Sequence, residues 1–245
     1  MCTDDRPRNS RRDPGSTVLA AENSKKQAGR TTRSAVKRTI DETASRFDEQ
    51  SAEYDETRPK RTVATADRVV KRALANTDGS ETVLDIGTGT GAVALGLAGE
   101  VGQVYAVDIS DGMLDRARAK AGERGVESVT FGHGTFRDPG GDLDLPGRVD
   151  LVVSNFAMHH LDDSEKADAI ERIRDLLTDG GRFVLGDVVV FEAANRSVEY
   201  YDPEVDDPAT VEYLVDTLES GGFTVETEQV GPMAGVVEGR LSATT

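Results

Sequence analysis

The feature that most constrains this chain is a short apolar segment, TVLDI at residues 82–86, that runs directly into GTGTG at residues 87–91. Glycine tolerates left-handed backbone angles and lets the main chain approach a ligand closely, so three glycines at a strand end indicate a binding loop. A helix-compatible segment follows from Ala92, and the N-terminus of a helix attracts polar groups of ligands. The pattern predicts a strand, loop and helix that bind a nucleotide-like cofactor, with Asp85 facing a cationic or hydrogen-bonding group.

Charge divides the chain into two parts. Residues 1–39 contain ten Lys and Arg against four Asp and Glu, whereas the remaining residues contain 19 basic and 41 acidic side chains. We expect residues 1–34 to be a disordered basic tail, because they lack a hydrophobic period. The acidic body, residues 35–245, repels itself at low salt, so we favour a halophilic source over an ordinary acidic cytosolic protein. The same charge makes binding to nucleic acid unfavourable.

Apolar runs and cysteine content exclude further classes of protein. The apolar runs are too short to span a bilayer or to serve as a secretory signal, which predicts a cytoplasmic protein with no membrane partner. Cys2 is the single cysteine. It cannot form an internal disulfide or supply a thiolate metal cage, and we expect no metal site.

Strands and helices alternate along the body, which predicts a parallel sheet covered on both faces. Two helices, at 35–54 and 62–74 with Pro59 between them, precede the first strand and should cover the fold as part of residues 35–76. The last two strands are joined too closely for a helical crossover and should pair antiparallel. The prediction is an α/β fold, a Rossmann-like, doubly wound and mostly parallel seven-stranded sheet with an antiparallel C-terminal hairpin. The remaining predicted strands are 82–86, 103–108, 127–132, 149–154, 181–187, 223–229 and 233–240, and the remaining helices are 91–99, 111–121, 164–177 and 208–220.

Two classes of cofactor compete for the glycine loop. Residues 87–92 can be aligned with G-x-G-x-x-G/A, and Asp108 follows about 20 residues after the loop, as a ribose-binding acid does in NAD or FAD domains. However, Asp85 would lie near the pyrophosphate of a dinucleotide, where two negative charges repel. In S-adenosylmethionine the same position faces an ammonium group, which is favourable.

Four ordered motifs resemble those of class I S-adenosylmethionine-dependent methyltransferases of the small-molecule type. Residues 47–55 also resemble the N-terminal segment of these enzymes, and residues 221–223 resemble the approach to their antiparallel hairpin. The nearest resemblance is to small, largely uncharacterised prokaryotic members. The four motifs are VLDIGTGTG at 83–91, YAVDIS at 105–110 continuing to 114, VDLVVSNFAMHHL at 149–161 and LTDGGRF at 177–183.

The resemblance implies roles for particular residues. Asp85 should hold the ammonium group of the cofactor, and Asp108 should accept hydrogen bonds from both ribose hydroxyls. Capping of the following helix is the alternative role for Asp108, but Ser110 suits that role better. Further cofactor contacts are implied for the backbone of the glycine loop and for the two side chains that could flank the adenine: Gly87, Thr88, Gly89, Gly91, Ile109 and Met113.

The sequence departs from the family after the third strand. The family often has Gly-Asp there, with the acid meeting the adenine amino group, whereas this chain has GHGTF at residues 132–136. Thr135 takes the place of the acid, and its hydroxyl can accept one hydrogen bond, while the Phe136 N–H can donate to the adenine ring. After the fourth strand, Asn155 and Phe156 should border the sulfonium and the methyl acceptor.

The candidates for catalysis are His159, His160 and Tyr54. Either histidine could act as a general base, could bind a metal together with Asp162 or Asp163, or could serve packing alone. Methyl transfer needs little from the protein, because alignment and exclusion of water supply most of the rate.

The predicted activity is methyl transfer to an unidentified small molecule, with the N-terminal helices acting as a lid. Tyr200 and Tyr201 follow the fifth strand and either face the substrate or pack in an exposed loop. Two alternatives are an NAD-dependent oxidoreductase and a non-catalytic regulatory module that binds S-adenosylmethionine.

Overall fold

The computed structural model of the 245-residue chain describes residues 39–191, 198, 201–202 and 205–243. The predicted basic tail at 1–34 and Tyr200 lie outside the described residues. Within these ranges no helix combines the length and the apolar composition that crossing a bilayer requires.

The centre of the structure is a seven-stranded sheet with the strand order β3-β2-β1-β4-β5-β7-β6. The first five strands are mutually parallel, and β7 pairs antiparallel with both β5 and β6. The predicted fold class is therefore confirmed. The strands are β1 (Thr82–Ile86), β2 (Gln103–Asp108), β3 (Val129–His133), β4 (Val149–Asn155), β5 (Leu177–Val188), β6 (Phe223–Gly231) and β7 (Ala234–Leu241).

The helices agree with the predicted pattern except near the beginning of the described chain. The predicted helix at 35–54 is wrong, because the helix ends at Gln50 and a separate short helix begins at Tyr54. The Ser51 hydroxyl donates to the Asp48 carbonyl at 2.8 Å, a local bond that competes with continuation of the helix. The helices are α1 (Ile40–Gln50), α2 (Tyr54–Thr57), α3 (Lys60–Ala73), α4 (Ala92–Leu97), α5 (Asp111–Arg124), α6 (Asp163–Leu176) and α7 (Val211–Ser220).

Apolar cores lie on both faces of the sheet, which explains why its central strands are continuously apolar. Successive residues of β4 point to opposite faces. Leu151 and Val153 belong to a core that includes side chains of α3 and α4, while Val152 belongs to a core that includes side chains of α6 and α7. Of the two helices predicted to cover the fold, α3 therefore packs on the sheet itself, whereas α1 buries no side chain.

The turn after β1 has the conformation that its glycines predict. The φ angles are +73° at Gly87 and +54° at Gly89, in the left-handed region. The N–H groups of Gly87 and Thr88 both donate to the Val107 carbonyl, at 2.9 and 3.0 Å. The turn is thereby held against the end of β2. A Cβ atom at Gly87 would lie 2.4 Å from the Cβ atom of Ala157, whereas one at Gly89 would meet no atom within 4 Å.

The two glycines therefore predict different costs of substitution. Each alanine variant loses about 1–2 kcal/mol of unfolding free energy from the left-handed backbone. Gly87→Ala loses about 1–3 kcal/mol more than Gly89→Ala, because its methyl group overlaps Ala157. Urea unfolding followed by circular dichroism measures both variants against the wild type. Equal losses in the two variants contradict the close contact between the turn and Ala157.

Candidate functional site

A cavity of about 500 Å³ opens at the carboxyl ends of β1, β2 and β4. The strand order reverses between β1 and β4, and parallel α/β sheets bind ligands at such a point. Eleven of the twelve residues predicted to contact the cofactor line this cavity, which we call the inner cavity. They are Asp85, Gly87, Thr88, Gly89, Asp108, Ile109, Met113, Thr135, Phe136, Asn155 and Phe156.

Gly91 is the exception, and its predicted place at the cofactor is not where the structure puts it. It does not line the inner cavity. It begins α4 with φ +81°, and a Cβ atom there would lie 3.2 Å from the Cβ atom of Ala117 in α5. The third glycine of the loop therefore serves the packing of two helices.

Asp108 ends β2 as a buried carboxylate that the backbone holds in place. Its Oδ2 accepts from the Gly89 N–H at 2.7 Å and its Oδ1 accepts from the Ser110 N–H at 3.0 Å. Each carboxylate oxygen has a second lone-pair site for a ligand hydroxyl. Burial raises the pKa of Asp108, and the backbone hydrogen bonds oppose that rise. Ser110 caps α5, as the sequence predicts, because its side chain accepts from the Met113 N–H.

Asp85 lies in β1 with only 1% of its surface exposed. Its Oδ2 accepts from the Thr88 hydroxyl at 2.7 Å and from the Ala94 N–H at 3.2 Å. Its Oδ1 has no hydrogen-bond partner. Burial raises the pKa of Asp85 to about 7, since two hydrogen bonds to one oxygen do not replace the lost hydration. A cation beside Oδ1 would stabilise the charged carboxylate.

Several unpartnered polar atoms belong to residues that line the inner cavity. Among the described residues, four buried side-chain atoms have no hydrogen-bond partner: Arg58 Nε, Asp85 Oδ1, Ser154 Oγ and Asn155 Oδ1. All but Ser154 belong to residues that line the inner cavity. They offer one cationic donor and two acceptors, and buried polar groups of this kind require partners. The arrangement is complementary to a ligand that carries both an ammonium and a carboxylate group.

Sequence reasoning missed Arg58. It lies between the resemblance at residues 47–55 and the break at Pro59, and nothing in its local pattern distinguishes it from a surface arginine. The one feature that could have indicated Arg58 is its position four residues after Tyr54, in a segment already predicted to be a lid.

Thr135, which also lines the inner cavity, differs from its predicted role. Its hydroxyl oxygen accepts from the Arg137 N–H at 3.1 Å and from the Asp138 N–H at 3.0 Å. The loop therefore uses the acceptor capacity that the sequence assigned to an adenine amino group, and the hydroxyl proton remains to be donated. Ile109 and Met113 lie on the wall of the cavity.

Two carboxylates fasten the first helices over the cavity, and we call residues 39–59 the lid. Asp48 Oδ1 accepts from the Ser110 hydroxyl at 2.6 Å and from the Gly112 N–H at 2.9 Å. Asp55 accepts from the Thr90 hydroxyl at 2.7 Å and from Lys120 Nζ at 2.8 Å. The lid is thus bound to the loops that follow β1 and β2. The sequence could not reveal these bonds, because the partners are 35 to 65 residues apart.

A second cavity of about 680 Å³, which we call the outer cavity, adjoins the first. Tyr201 lines it, whereas Tyr200 is outside the described residues. Phe156 lies at the boundary with φ +55°, an unusual backbone angle for an aromatic residue. The side chains that line both cavities are Phe47, Tyr54, Arg58, Thr62, Phe156 and His160.

The structure separates the three predicted catalytic candidates. Tyr54 and His160 line both cavities, whereas His159 lines only the outer one. Burial raises the pKa of Tyr54, so its phenol is protonated at neutral pH and acts as a hydrogen-bond donor. Burial and the neighbouring His159 lower the pKa of His160.

His159 is buried and held between two carboxylates that sequence reasoning missed. Its Nδ1 lies 2.5 Å from Asp187 Oδ1, and its backbone N–H donates to Asp187 Oδ2 at 3.0 Å. Its Nε2 lies 3.6 Å from Asp206 Oδ1, and His160 Nδ1 lies 3.3 Å from the same oxygen. Burial lowers the pKa of His159, but the neighbouring carboxylates of Asp187 and Asp206 together outweigh burial, and the net shift is upward.

Asp162 was considered with Asp163 as a possible metal partner of the histidines and also as part of a helix start, and the structure gives it the second role. It caps α6 by accepting from the Glu165 N–H at 2.9 Å, and the Glu165 side chain accepts from the Asp162 N–H in return. The acid that meets the histidines is Asp206, which lies 46 residues after His160, and no local pattern in the sequence indicates it.

Comparisons with known proteins match this chain to methyltransferases. Residues 83–181 match a family model described as a methyltransferase domain. The chain is 30% identical over 208 residues to an uncharacterised methyltransferase of Geobacillus thermodenitrificans, which covers 80% of this chain and 92% of that protein. It is 36% identical over 135 residues to one of Bacillus cytotoxicus, where the match covers 54% of this chain and spans only 56% of the relative's length.

A solved structure shows the same fold at lower identity. It is the magnesium protoporphyrin IX methyltransferase of Synechocystis with bound SAH, to which this chain is 20% identical. The TM-score is 0.66, and the match covers 81% of this chain and 95% of that chain.

The raised pKa of Asp85 predicts how stability depends on pH. The pKa rises from 3.8 to about 7 on folding, so the folded state binds more protons between these values. Wild-type stability is therefore lost as pH rises through this window. Asp85→Asn lacks the linkage and should gain unfolding free energy relative to the wild type between about pH 4 and about pH 7.

Urea unfolding of the ligand-free protein at several pH values measures this difference. The matched control is Asp67→Asn, which changes an exposed aspartate of α3 and should leave the pH dependence as it is in the wild type. An Asp85→Asn curve parallel to the wild-type curve would show that Asp85 is not a titrating buried carboxyl.

Proposed function

The chain belongs to the methyltransferase family, and we propose that it transfers a methyl group from S-adenosylmethionine to a small molecule. One observation carries the choice of methyl donor. Arg58, Asp85 and Asn155 present unpartnered polar atoms and line one cavity. The methionine end of the cofactor supplies their complement: an ammonium for the two oxygens and a carboxylate for the guanidinium.

The nucleoside part would then lie toward the end of β2. Asp108 would accept the two ribose hydroxyls through the lone pairs that Gly89 and Ser110 leave free. Gly87, Thr88 and Gly89 would pass beneath the methionine and ribose. The adenine would lie between Ile109 and Met113, with the Phe136 N–H as a donor to the ring.

Methyl transfer would take place where the two cavities meet. The nucleophilic atom of the acceptor approaches from the outer cavity and forms a bond to the methyl carbon. The carbon–sulfur bond breaks in line with it, and its electron pair returns to sulfur as a neutral thioether. Phe47 and Phe156 line this junction and would exclude water, while Tyr54 would donate a hydrogen bond there. The rate would derive from alignment.

The outer cavity favours a small acceptor. Its volume of about 680 Å³ lies within the range of about 300–1,000 Å³ that holds small ligands. The lid is bound over the inner cavity through Asp48 and Asp55, which limits the entrance. The excess of acidic residues disfavours a nucleic-acid substrate.

We also propose that the protein works in the cytoplasm at high salt. Its formal net charge is −16, and after residue 39 it contains four lysines against fifteen arginines. Salt screens the repulsion within such a body.

Two rival functions predict different results. An NAD-dependent oxidoreductase would place a pyrophosphate beside the Asp85 carboxylate, which is unfavourable. A regulatory module would bind S-adenosylmethionine but turn over no substrate.

Calorimetry tests how the cofactor is held. Arg58→Met should weaken the binding of S-adenosylhomocysteine by about 10- to 100-fold, because it removes a charged hydrogen bond. The same variant should bind 5′-methylthioadenosine as tightly as the wild type does, since that ligand lacks the amino-acid group. Asp108→Ala should weaken both ligands. Wild-type protein that binds NAD and neither sulfur nucleoside contradicts the proposal.

Labelled methyl transfer tests for catalysis. Purified protein, S-adenosylmethionine with a labelled methyl group and a fractionated extract of small metabolites should yield a labelled small molecule, in molar KCl and at low salt. Asp108→Ala, with impaired cofactor binding, should yield none. Tight binding of S-adenosylmethionine without transfer in any fraction would favour the regulatory module.

A further inference from the structure

We propose that His159, His160 and Asp206 bind one divalent transition-metal ion at the wall of the outer cavity. One donor atom from each residue lies within 4.8 Å of the other two. Two imidazoles and one carboxylate form a donor set that suits zinc, iron, cobalt and nickel. From the sequence we expected no metal site, because the histidines with Asp162 or Asp163 do not make a full ligand set. Asp206, which is remote in the chain, was not among the acids considered.

The separations between the donor atoms match a coordination sphere. Bonds of about 2.0–2.2 Å place neighbouring donors of a tetrahedral site about 3.4 Å apart. Asp206 Oδ1 lies 3.6 Å from His159 Nε2 and 3.3 Å from His160 Nδ1. A hydrogen bond from either ring to Asp206 is the alternative. The 3.6 Å separation from His159 Nε2 exceeds the usual range of about 2.7–3.2 Å, whereas His160 Nδ1 at 3.3 Å lies close to it, so the cobalt titration decides between a proton and a metal ion.

Groups that lie behind His159 and Asp206 fix the direction in which these two ligands point. His159 Nδ1 lies 2.5 Å from Asp187 Oδ1, so a proton on Nδ1 is held there and the lone pair of Nε2 faces Asp206. Metal-binding histidines usually donate their other N–H to a carboxylate in this manner. Asp206 Oδ2 accepts from the Asp202 N–H at 2.7 Å, which leaves Oδ1 directed at the two rings.

A buried lysine fixes the distance between the segments that carry these ligands. Lys166 is 1% exposed, and its Nζ donates to the Leu161 and Asp207 carbonyls, both at 2.6 Å. The Asp207 N–H also donates to the His159 carbonyl at 2.7 Å. The segment that carries Asp206 is therefore held against the segment that carries the histidines, through hydrogen bonds made by the next residue, Asp207.

Three protein ligands leave coordination positions for water or for the methyl acceptor. All three ligands line the outer cavity. This role rests on the proposed function. A metal-bound hydroxyl of the acceptor would lose its proton to water, and its oxygen would form the new bond to the methyl carbon as the carbon–sulfur bond breaks.

Cobalt titration tests the site without any enzymatic assay. Tag-free protein is stripped of metal with a chelator, desalted, and titrated with CoCl₂ in molar KCl, which screens weak binding to the acidic surface. We expect one equivalent to bind, with the intense visible absorption of cobalt of low coordination number. His160→Ala and Asp206→Asn should abolish this absorption. Asp187→Asn should lower the affinity about 10- to 100-fold.

The chain has only one other histidine, His133, and it supplies a matched control. It lies exposed at the end of β3, so His133→Ala should bind cobalt as the wild type does. The proposal is overturned if the wild type gives no intense absorption, or if His160→Ala and Asp206→Asn bind cobalt as it does. Zinc should also raise the unfolding temperature of the wild type and not of His160→Ala.

Calorimetry with S-adenosylhomocysteine on the same samples separates this proposal from the proposed function. Asp206 does not line the inner cavity, so Asp206→Asn should retain binding of S-adenosylhomocysteine. Retained binding also shows that this variant is folded. Cobalt binding without nucleoside binding would support the metal site and contradict the cofactor assignment, and the reverse result would contradict the metal site alone.

Discussion

The burial of two carboxylates at one edge of the sheet is the constraint on which the rest of the structure depends. A charged carboxylate in a protein interior is costly unless donors replace its hydration. Gly89 and Ser110 supply two backbone N–H groups to Asp108, while Thr88 and Ala94 supply a hydroxyl and an N–H to Asp85. Two of these donors, the Gly89 N–H and the Thr88 hydroxyl, belong to the turn after β1, in which Gly87 and Gly89 take left-handed angles. The glycines and the acids therefore require each other.

Features of the site that depend on neighbours in the chain could be predicted from the sequence, whereas contacts between distant segments could not. The bounds of β1 and β2 and the cap at Ser110 follow from neighbours in the chain, and the sequence predicted them correctly. Asp187 and Asp206 meet His159 only through the fold, from 28 and 47 residues away, so no local pattern could identify them. Gly91 is a different case. The sequence shows its place in the glycine motif, but its close approach to Ala117 depends on how α4 and α5 pack in the fold.

The lid covers the inner cavity and is attached to the loops that line it. Its helix α1 buries no side chain, so little apolar area holds it down, and segments of this kind open most easily. Its polar attachments reach Ser110 and Thr90, which neighbour Asp108 and Gly89. A ligand that orders those loops therefore also orders the surface on which the lid rests. The same lid supplies Arg58 and Tyr54 to the walls of both cavities, so the segment that covers the site also forms part of it.

The other side of the site is built by the pairing of β4 with β5. Asn155 lies opposite Gly186, and the next residue along β5 is Asp187, which contacts His159. A side chain at Gly186 could not be accommodated, because its Cβ atom would lie 2.9 Å from Asn155 Oδ1 and 2.5 Å from a methyl group of Val69. The close pairing of β4 with β5 thus positions both Asn155 Oδ1 and the Asp187 carboxylate that contacts His159. In the function that we propose, the ends of β1 and β2 would hold the nucleoside, and the ends of β4 and β5 would supply the groups that face an acceptor. Since β1 and β4 are adjacent, the two sets meet where the strand order reverses, and a reaction between two ligands requires that juxtaposition.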